Sequence, residues 1–301
     1  MRRQHVLSSA ALLLCLSAAS ATLPAAAAQP TASSGPLRIL LTNDDGYNAP
    51  GIRAEFDRLT AAGHQVTIVA PLQNQSGAGT KMMSATSVVV QHPEARVWAV
   101  DGTPGDAVAF GLSQVFADRA PDLVISGTNF GTNVAGFATH SGTVGGAIAA
   151  LERGVPAIAV STGSFSVPAP GPTLNAMRVT ADFTVKLIDR LQARAKSGRL
   201  LPDGVGLNVN HPIVGADGTG TAHGVSLTFQ DAQTVLTPHY TDAGDGTWKV
   251  TVSFDPLAPA KGSDVAAVNA DKVSIAPMNA DWNSGPADFA AATALLAGLR
   301  P

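Results

Sequence analysis

The chain has 301 residues, 45% hydrophobic and 14% charged, enough to bury a full core and too apolar for a disordered chain. Its 30 glycines and 20 prolines point to many tight turns rather than low complexity. A net charge of −3 argues against binding nucleic-acid polymers or an anionic membrane surface, since both need a basic excess.

At the N-terminus, Arg2 and Arg3 precede an apolar stretch from Val6 to Ala19, and Ala26-Ala27-Ala28 offers a cleavage site before Gln29. This is the pattern of a secretory signal peptide over residues 1–28, shorter than the roughly 18 apolar residues of a membrane anchor. The expected location is exported, periplasmic or secreted, by the Sec or the twin-arginine route. Without residues 1–28, 17 basic side chains stand against 22 acidic ones, a balance of −5. Cys15, the one cysteine, is lost with them, which removes disulfides, thiol catalysis and zinc–thiolate sites. The composition of Gln29 to Pro36 reads as that of a flexible lead-in.

From Leu37 onward, strand and helix alternate. Leu37 to Thr42 is a short apolar run closed by Asn43-Asp44-Asp45-Gly46, a turn signal. Ile52, Phe56 and Leu59 follow at helical spacing, with Gly63 placed to end the helix. His64 to Ala70 reads as a second strand closed by Pro71. Asp122 to Ser126 and Val155 to Ser161 are further strands of buried type, and Val144, Ile148 and Leu151 mark a helix between them. Leu174 to Ala195 has the apolar spacing of a long helix, and Gly206 to Asn210 is one more strand. Near-continuous apolar strands separated by helices predict an α/β fold, a mostly parallel sheet covered on both faces. After residue 213 the pattern changes: Ser226–Phe229 and Trp248–Phe254 alternate like hairpin strands joined by Gly/Asp turns.

Ligands of open parallel sheets collect beyond the carboxyl ends of the strands. Those ends carry Asn43, Asp44 and Asp45, then Ser76 and Gly77, then the run from Gly127 to Asn133, and finally His140-Ser141-Gly142-Thr143 before a helix. Adjacent carboxylates repel and are kept together chiefly by a cation between them. Oxygen donors from Asp, Asn and Ser suit Mg²⁺ or Mn²⁺ rather than zinc or copper. The plainer alternative is that Asp44 or Asp45 caps the next helix. Ser141-Gly142-Thr143 suits a phosphate at a helix N-terminus, with an ordinary serine cap as its alternative. His140 adjoins this loop as a general acid or a substrate contact. His211 reads as structural, and His64, His92, His223 and His239 as surface or loop residues. The sequence lacks a Walker lysine motif and a nucleophile-elbow serine, which disfavours P-loop and α/β-hydrolase chemistry.

In this order the loops resemble the SurE family of 5′/3′-nucleotidases. The resemblance rests on Ile39 to Ile52, Val69-Ala70-Pro71 with Gln75-Ser76-Gly77, and Gly102-Thr103-Pro104-Gly105-Asp106. It continues through Pro121 to Asn133, Ser141 to Val144, Leu207 to Asn210 and Val273 to Pro277. It implies a Rossmann-like three-layer core over residues 37–213 that holds the active site. Residues 214–301 would then supply a β-hairpin and a C-terminal exchange element for a homodimer or homotetramer. It further implies a phosphomonoesterase that cleaves nucleoside 5′- and 3′-monophosphates with one divalent cation, Mg²⁺ or Mn²⁺, per site. Its metal ligands fall on Asp44, Asp45, Ser76 and Asn129, with Asp44 and Asp45 also catalytic. Its phosphate and substrate contacts fall on Asn43, Gly77, Asn133, His140, Ser141, Gly142 and Thr143. His140 replaces a common tyrosine, Ala107 a usual cysteine, and Val214 to Lys261 matches poorly. A broad acid phosphatase or exopolyphosphatase on the same site, and a non-catalytic nucleotide-binding module, are the alternative functions.

Overall fold

Strand β1 (Arg38–Thr42) sends Ile39 and Leu41 into one buried cluster and Leu40 into another, because successive side chains of a strand face opposite ways. A computed structural model describes residues 35–83, 86–163, 170–195, 198–233, 236–254, 258–281, 283 and 285–297 of the chain. The expected signal peptide, residues 1–28, and residues 29–34 of the lead-in lie outside the described residues.

Helix α1 (Pro50–Ala61) starts on a proline, whose fixed φ suits the first turn, and buries Ile52, Glu55 and Leu59. The next elements are β2 (Gln65–Pro71), β3 (Val90–Glu94), β4 (Val97–Val100), α2 (Pro104–Phe110) with a π-helical turn Gly111–Val115, and β5 (Leu123–Phe130). Then come α3 (Gly136–His140), α4 (Gly142–Leu151), β6 (Ala157–Thr162), α5 (Pro170–Arg194) and β7 (Gly206–His211). The C-terminal part holds β8 (Val225–Leu227), β9 (Leu236–Asp242), β10 (Trp248–Phe254), α6 (Asp264–Asn269), β11 (Val273–Met278) and α7 (Pro286–Leu295).

Among the described residues, nine strands form one sheet in the order β3-β4-β2-β1-β5-β6-β7-β11-β8. The run from β4 to β7 is parallel, and β3 and β11 are antiparallel to their inner neighbours. Ile52 and Leu59 of α1 and Leu187 and Ile188 of α5 cover one face, and α2 and α4 cover the other. This is the mostly parallel, doubly covered α/β sheet that the strand pattern predicts. Among the described residues, no helix is long and apolar enough to cross a membrane.

Three details depart from the sequence reading. Ser226–Phe229 is not a hairpin strand: β8 joins the main sheet parallel to β11, and Thr228 N donates to Ile275 O at 2.9 Å. Trp248–Phe254, by contrast, forms a hairpin strand as expected, paired with β9 in a separate two-stranded sheet. Strands β3 and β4 and helix α2 carry no long periodic pattern; β3 is largely exposed and β4 has four residues. His64 is buried rather than superficial, and its Nδ1 accepts the Leu37 N–H at 3.2 Å.

Candidate active site

The sheet reverses its winding at β1, which lies between β2 and β5, and α/β sheets bind ligands in the crevice beyond such a reversal. An open cavity of about 530 Å³ lies there, lined by Asp44, Ser76, Gly77, Asn129, Phe130, Gly131, Thr132, Asn133, Phe137, His140 and Ser141. Its size lies within the range of small-molecule sites.

Asp44 is the hub. Its backbone oxygen accepts from Gln75 N at 2.7 Å, which ties the loop after β1 to the loop after β2. Its Oδ1 accepts from Thr143 Oγ1 at 2.6 Å, and the backbone of Thr143 and Gly142 also bonds to the carboxylate. Gly142 is required there, since a Cβ would sit 2.9 Å from Asp44 Oδ2. Burial raises the Asp44 pKa, and the Thr143 hydroxyl pulls against that rise. Asp45 lies at the rim, and its Oδ2 accepts from Phe130 N at 3.2 Å, which links β1 to β5. Burial and, second, the charge of Asp44 push Asp45 up to about 6.

The other loops are fixed as firmly. A Cβ on Gly145 of α4 would fall 1.8 Å from Gly79 O, so α4 lies directly on the loop after β2. Gly79 N also donates to His140 O at 3.1 Å. Asn129 donates its Nδ2 to Gly131 O at 2.8 Å, which leaves Oδ1 as its free donor atom towards a cation. Asn133 is clamped: its N–H goes to Asn210 Oδ1 at 2.7 Å, its Nδ2 to Ser161 Oγ at 2.9 Å, and its carbonyl accepts from Asn208 and Asn210.

Of the residues named from the sequence, Asp44, Ser76, Gly77, Asn129, Asn133, His140 and Ser141 thus share one cavity, with Asp45 beside it. Asn43 does not line it; the residue is fully buried and its Nδ2 holds Gly46 O at 2.9 Å, closing the turn. Gly142 and Thr143 stand behind Asp44 rather than in the cavity, so the N-terminus of α4 is directed at the aspartate. Ser141 caps α4 by accepting Val144 N at 3.1 Å, and its hydroxyl proton stays available. The sequence reading missed Phe130 and Phe137 as wall residues and Ser161 as a support. It also missed Asp264, fully buried, whose Oδ2 accepts from Ala135 N at 2.9 Å and so anchors the loop after β5 from 129 residues away. Ala135 sits at φ 48°, where a non-glycine residue needs such support.

Among the described residues, no group of three or more His, Cys, Asp or Glu is placed to hold a metal. A cation here would rest on a mixed set, the two carboxylates with the Ser76 hydroxyl and the Asn129 amide oxygen. That all-oxygen set fits a hard divalent ion, and such an ion would relieve both the burial and, second, the neighbouring Asp44 charge that lift Asp45.

Comparison with known proteins identifies the family and its fold. The model of the family described as Survival protein SurE matches residues 39–236. The 5′-nucleotidase SurE of Thermosynechococcus vestitus is 32% identical over 264 residues, covering 83% of this chain and 93% of that protein. The 5′-nucleotidase SurE of Caulobacter vibrioides is 34% identical over 252 residues, covering 81% and 91%. The crystal structure of SurE protein from Aquifex aeolicus superposes with a TM-score of 0.71 at 27% identity, covering 85% of this chain and 98% of that one. The chain belongs to the SurE family.

Proposed function

We propose that the chain is an exported phosphomonoesterase that hydrolyses nucleoside 5′- and 3′-monophosphates to nucleoside and phosphate. One divalent cation, Mg²⁺ or Mn²⁺, would be held by Asp44, Asp45, Ser76 and Asn129. The observation that carries this reading is the convergence of four loops on the Asp44–Asp45 pair, with three of these four donors lining one open cavity. The relatives named 5′-nucleotidase support the substrate class.

When bound, the cation supplies charge neutralisation at the phosphate and a lowered pKa for a water. The chain's own groups do the rest. Thr143 and the first turn of α4 hold Asp44 in one orientation. Asp45 keeps Oδ2 on Phe130 N, which leaves Oδ1 to take the proton of the attacking water. The free hydroxyl proton of Ser141 and the exposed His140 face the space where non-bridging phosphate oxygens would lie. Phe130 and Phe137 offer apolar faces to the nucleoside.

Homo-oligomerisation forms part of the same proposal. Tyr240, Trp248, Val250 and Val252 of the hairpin are exposed, and α7 buries none of its residues, so these surfaces suit a second copy of the chain.

The test is phosphate release by the purified chain from matched 5′- and 3′-nucleotides, phenyl phosphate and polyphosphate, with Mn²⁺ present. Faster release from the nucleotides is expected. Equal or faster release from phenyl phosphate or polyphosphate would replace the nucleotidase reading with the broader one, and binding without release would make the chain a binding module.

A further inference from the structure

A buried line of hydroxyls runs from the strand that carries Asn129 to a carboxyl group the proposed chemistry does not use. Thr128 Oγ1 meets Thr162 Oγ1 at 2.7 Å, and Thr162 Oγ1 donates to Thr180 Oγ1 at 2.9 Å. One turn further along α5, Thr184 Oγ1 lies 3.1 Å from Thr180 O and 2.9 Å from Glu55 Oε1. Every residue of this seam is at most 1% exposed.

The seam closes on itself through α1. Gly51 and Glu55 share one face of that helix, being four residues apart. A Cβ on Gly51 would lie 1.9 Å from Thr128 O, so α1 touches the strand directly. Thr128 lies where the pairing of β5 with β6 shifts register, between Ser126 and Asn129. Such a bulge re-aims the following side chain, and here that side chain is Asn129.

We propose that Thr128, Thr162, Thr180, Thr184 and Glu55 are positioning residues that set the β5 bulge and thereby the reach of Asn129 into the cavity. This rests on the metal-dependent nucleotidase reading above. Glu55 serves as the neutral end of the seam. Burial pushes its carboxyl up to about 8, and its Oε2 finds no partner. The charge that acts on it is Asp182 of α5, which is itself paired with Arg58 of α1 at 2.9 Å. Arg53 of α1 is paired with Glu94, and β5 and β6 contain no charged residue. Because the folded pKa lies above the ordinary 4.5, Glu55 contributes stability fully below about pH 4.5 and loses it as pH rises through about 8.

The test compares wild type with Thr162→Val and Glu55→Gln in Mn²⁺ affinity by calorimetry, kcat and KM for a 5′-nucleotide, and melting temperature from about pH 6 to 9.5. Thr162→Val should weaken Mn²⁺ binding and kcat about five- to tenfold with KM little changed. Glu55→Gln should match wild type near pH 6 and abolish the alkaline fall in melting temperature and Mn²⁺ affinity. Wild-type Mn²⁺ affinity and kcat in Thr162→Val, whatever its melting temperature, would overturn the inference and leave the nucleotidase reading standing. So would an alkaline fall that persists in Glu55→Gln. A wild-type chain that binds no Mn²⁺ and releases no phosphate would overturn both.

Discussion

The carboxyl ends of the central strands and the C-terminal hairpin with α7 use their side chains in opposite ways. At the strand ends, polar groups are buried and bonded within the chain: Asp44 to Thr143, Asn133 to Ser161 and Asn210, Ala135 to Asp264. In the hairpin and α7, large apolar groups face outward, Trp248 at 59% and Phe289 at 72% exposure. The contrast separates what one copy of the chain completes by itself from what it leaves exposed. The site's supports are internal, so its geometry should survive changes in the hairpin.

The largest effect that would sharpen this contrast is expected from Asp44→Asn. Loss of the carboxylate proposed to hold the metal should lower kcat/KM at least about a hundredfold, measured as phosphate release from a nucleotide. The melting temperature should hold or rise, because the change removes a buried charge. Thr143→Val keeps the shape of the side chain and deletes the hydroxyl on Asp44; Mn²⁺ affinity should fall about 10- to 100-fold by calorimetry, with the fold intact. Asp264→Ala leaves the Ala135 and Asp231 N–H groups without acceptors, at a cost of about 2–3 kcal/mol in urea unfolding. The smallest kinetic effect is expected from Trp248→Ser combined with Val250→Ser. Sedimentation should show a smaller species, while turnover per chain changes less than about twofold. A large loss of turnover in this last variant would break the contrast, since it would make the site depend on the exposed surface.

The parts legible in the sequence were those where one local signal sufficed. Strands β1, β2, β5, β6 and β7 are short apolar runs, and α1, α4 and α5 repeat apolar residues at helical spacing. Helix α2 was available through its cap: Thr103 and Asp106 bond reciprocally at the spacing of a capping box. Strand β11 contains Pro277 and pairs antiparallel with β7, a tertiary choice that no local pattern announces. Partner choice in the C-terminal strands was likewise illegible, because alternation marks a strand without naming its neighbour. In the site, residue types at strand ends pointed to the acids, amides and glycines. The placing of Thr143 behind Asp44, and of Asp264 beneath Ala135, depends on contacts 99 and 129 residues apart in the chain.

The central claim, a metal-dependent phosphatase site assembled around Asp44, is tested most directly by phosphate release from a 5′-nucleotide. The purified chain would be assayed after chelation and again after Mn²⁺ is restored. Release that disappears with the chelator and returns with Mn²⁺ is the predicted result. Release that continues undiminished in the chelator, or that never occurs with any divalent ion, would contradict the account.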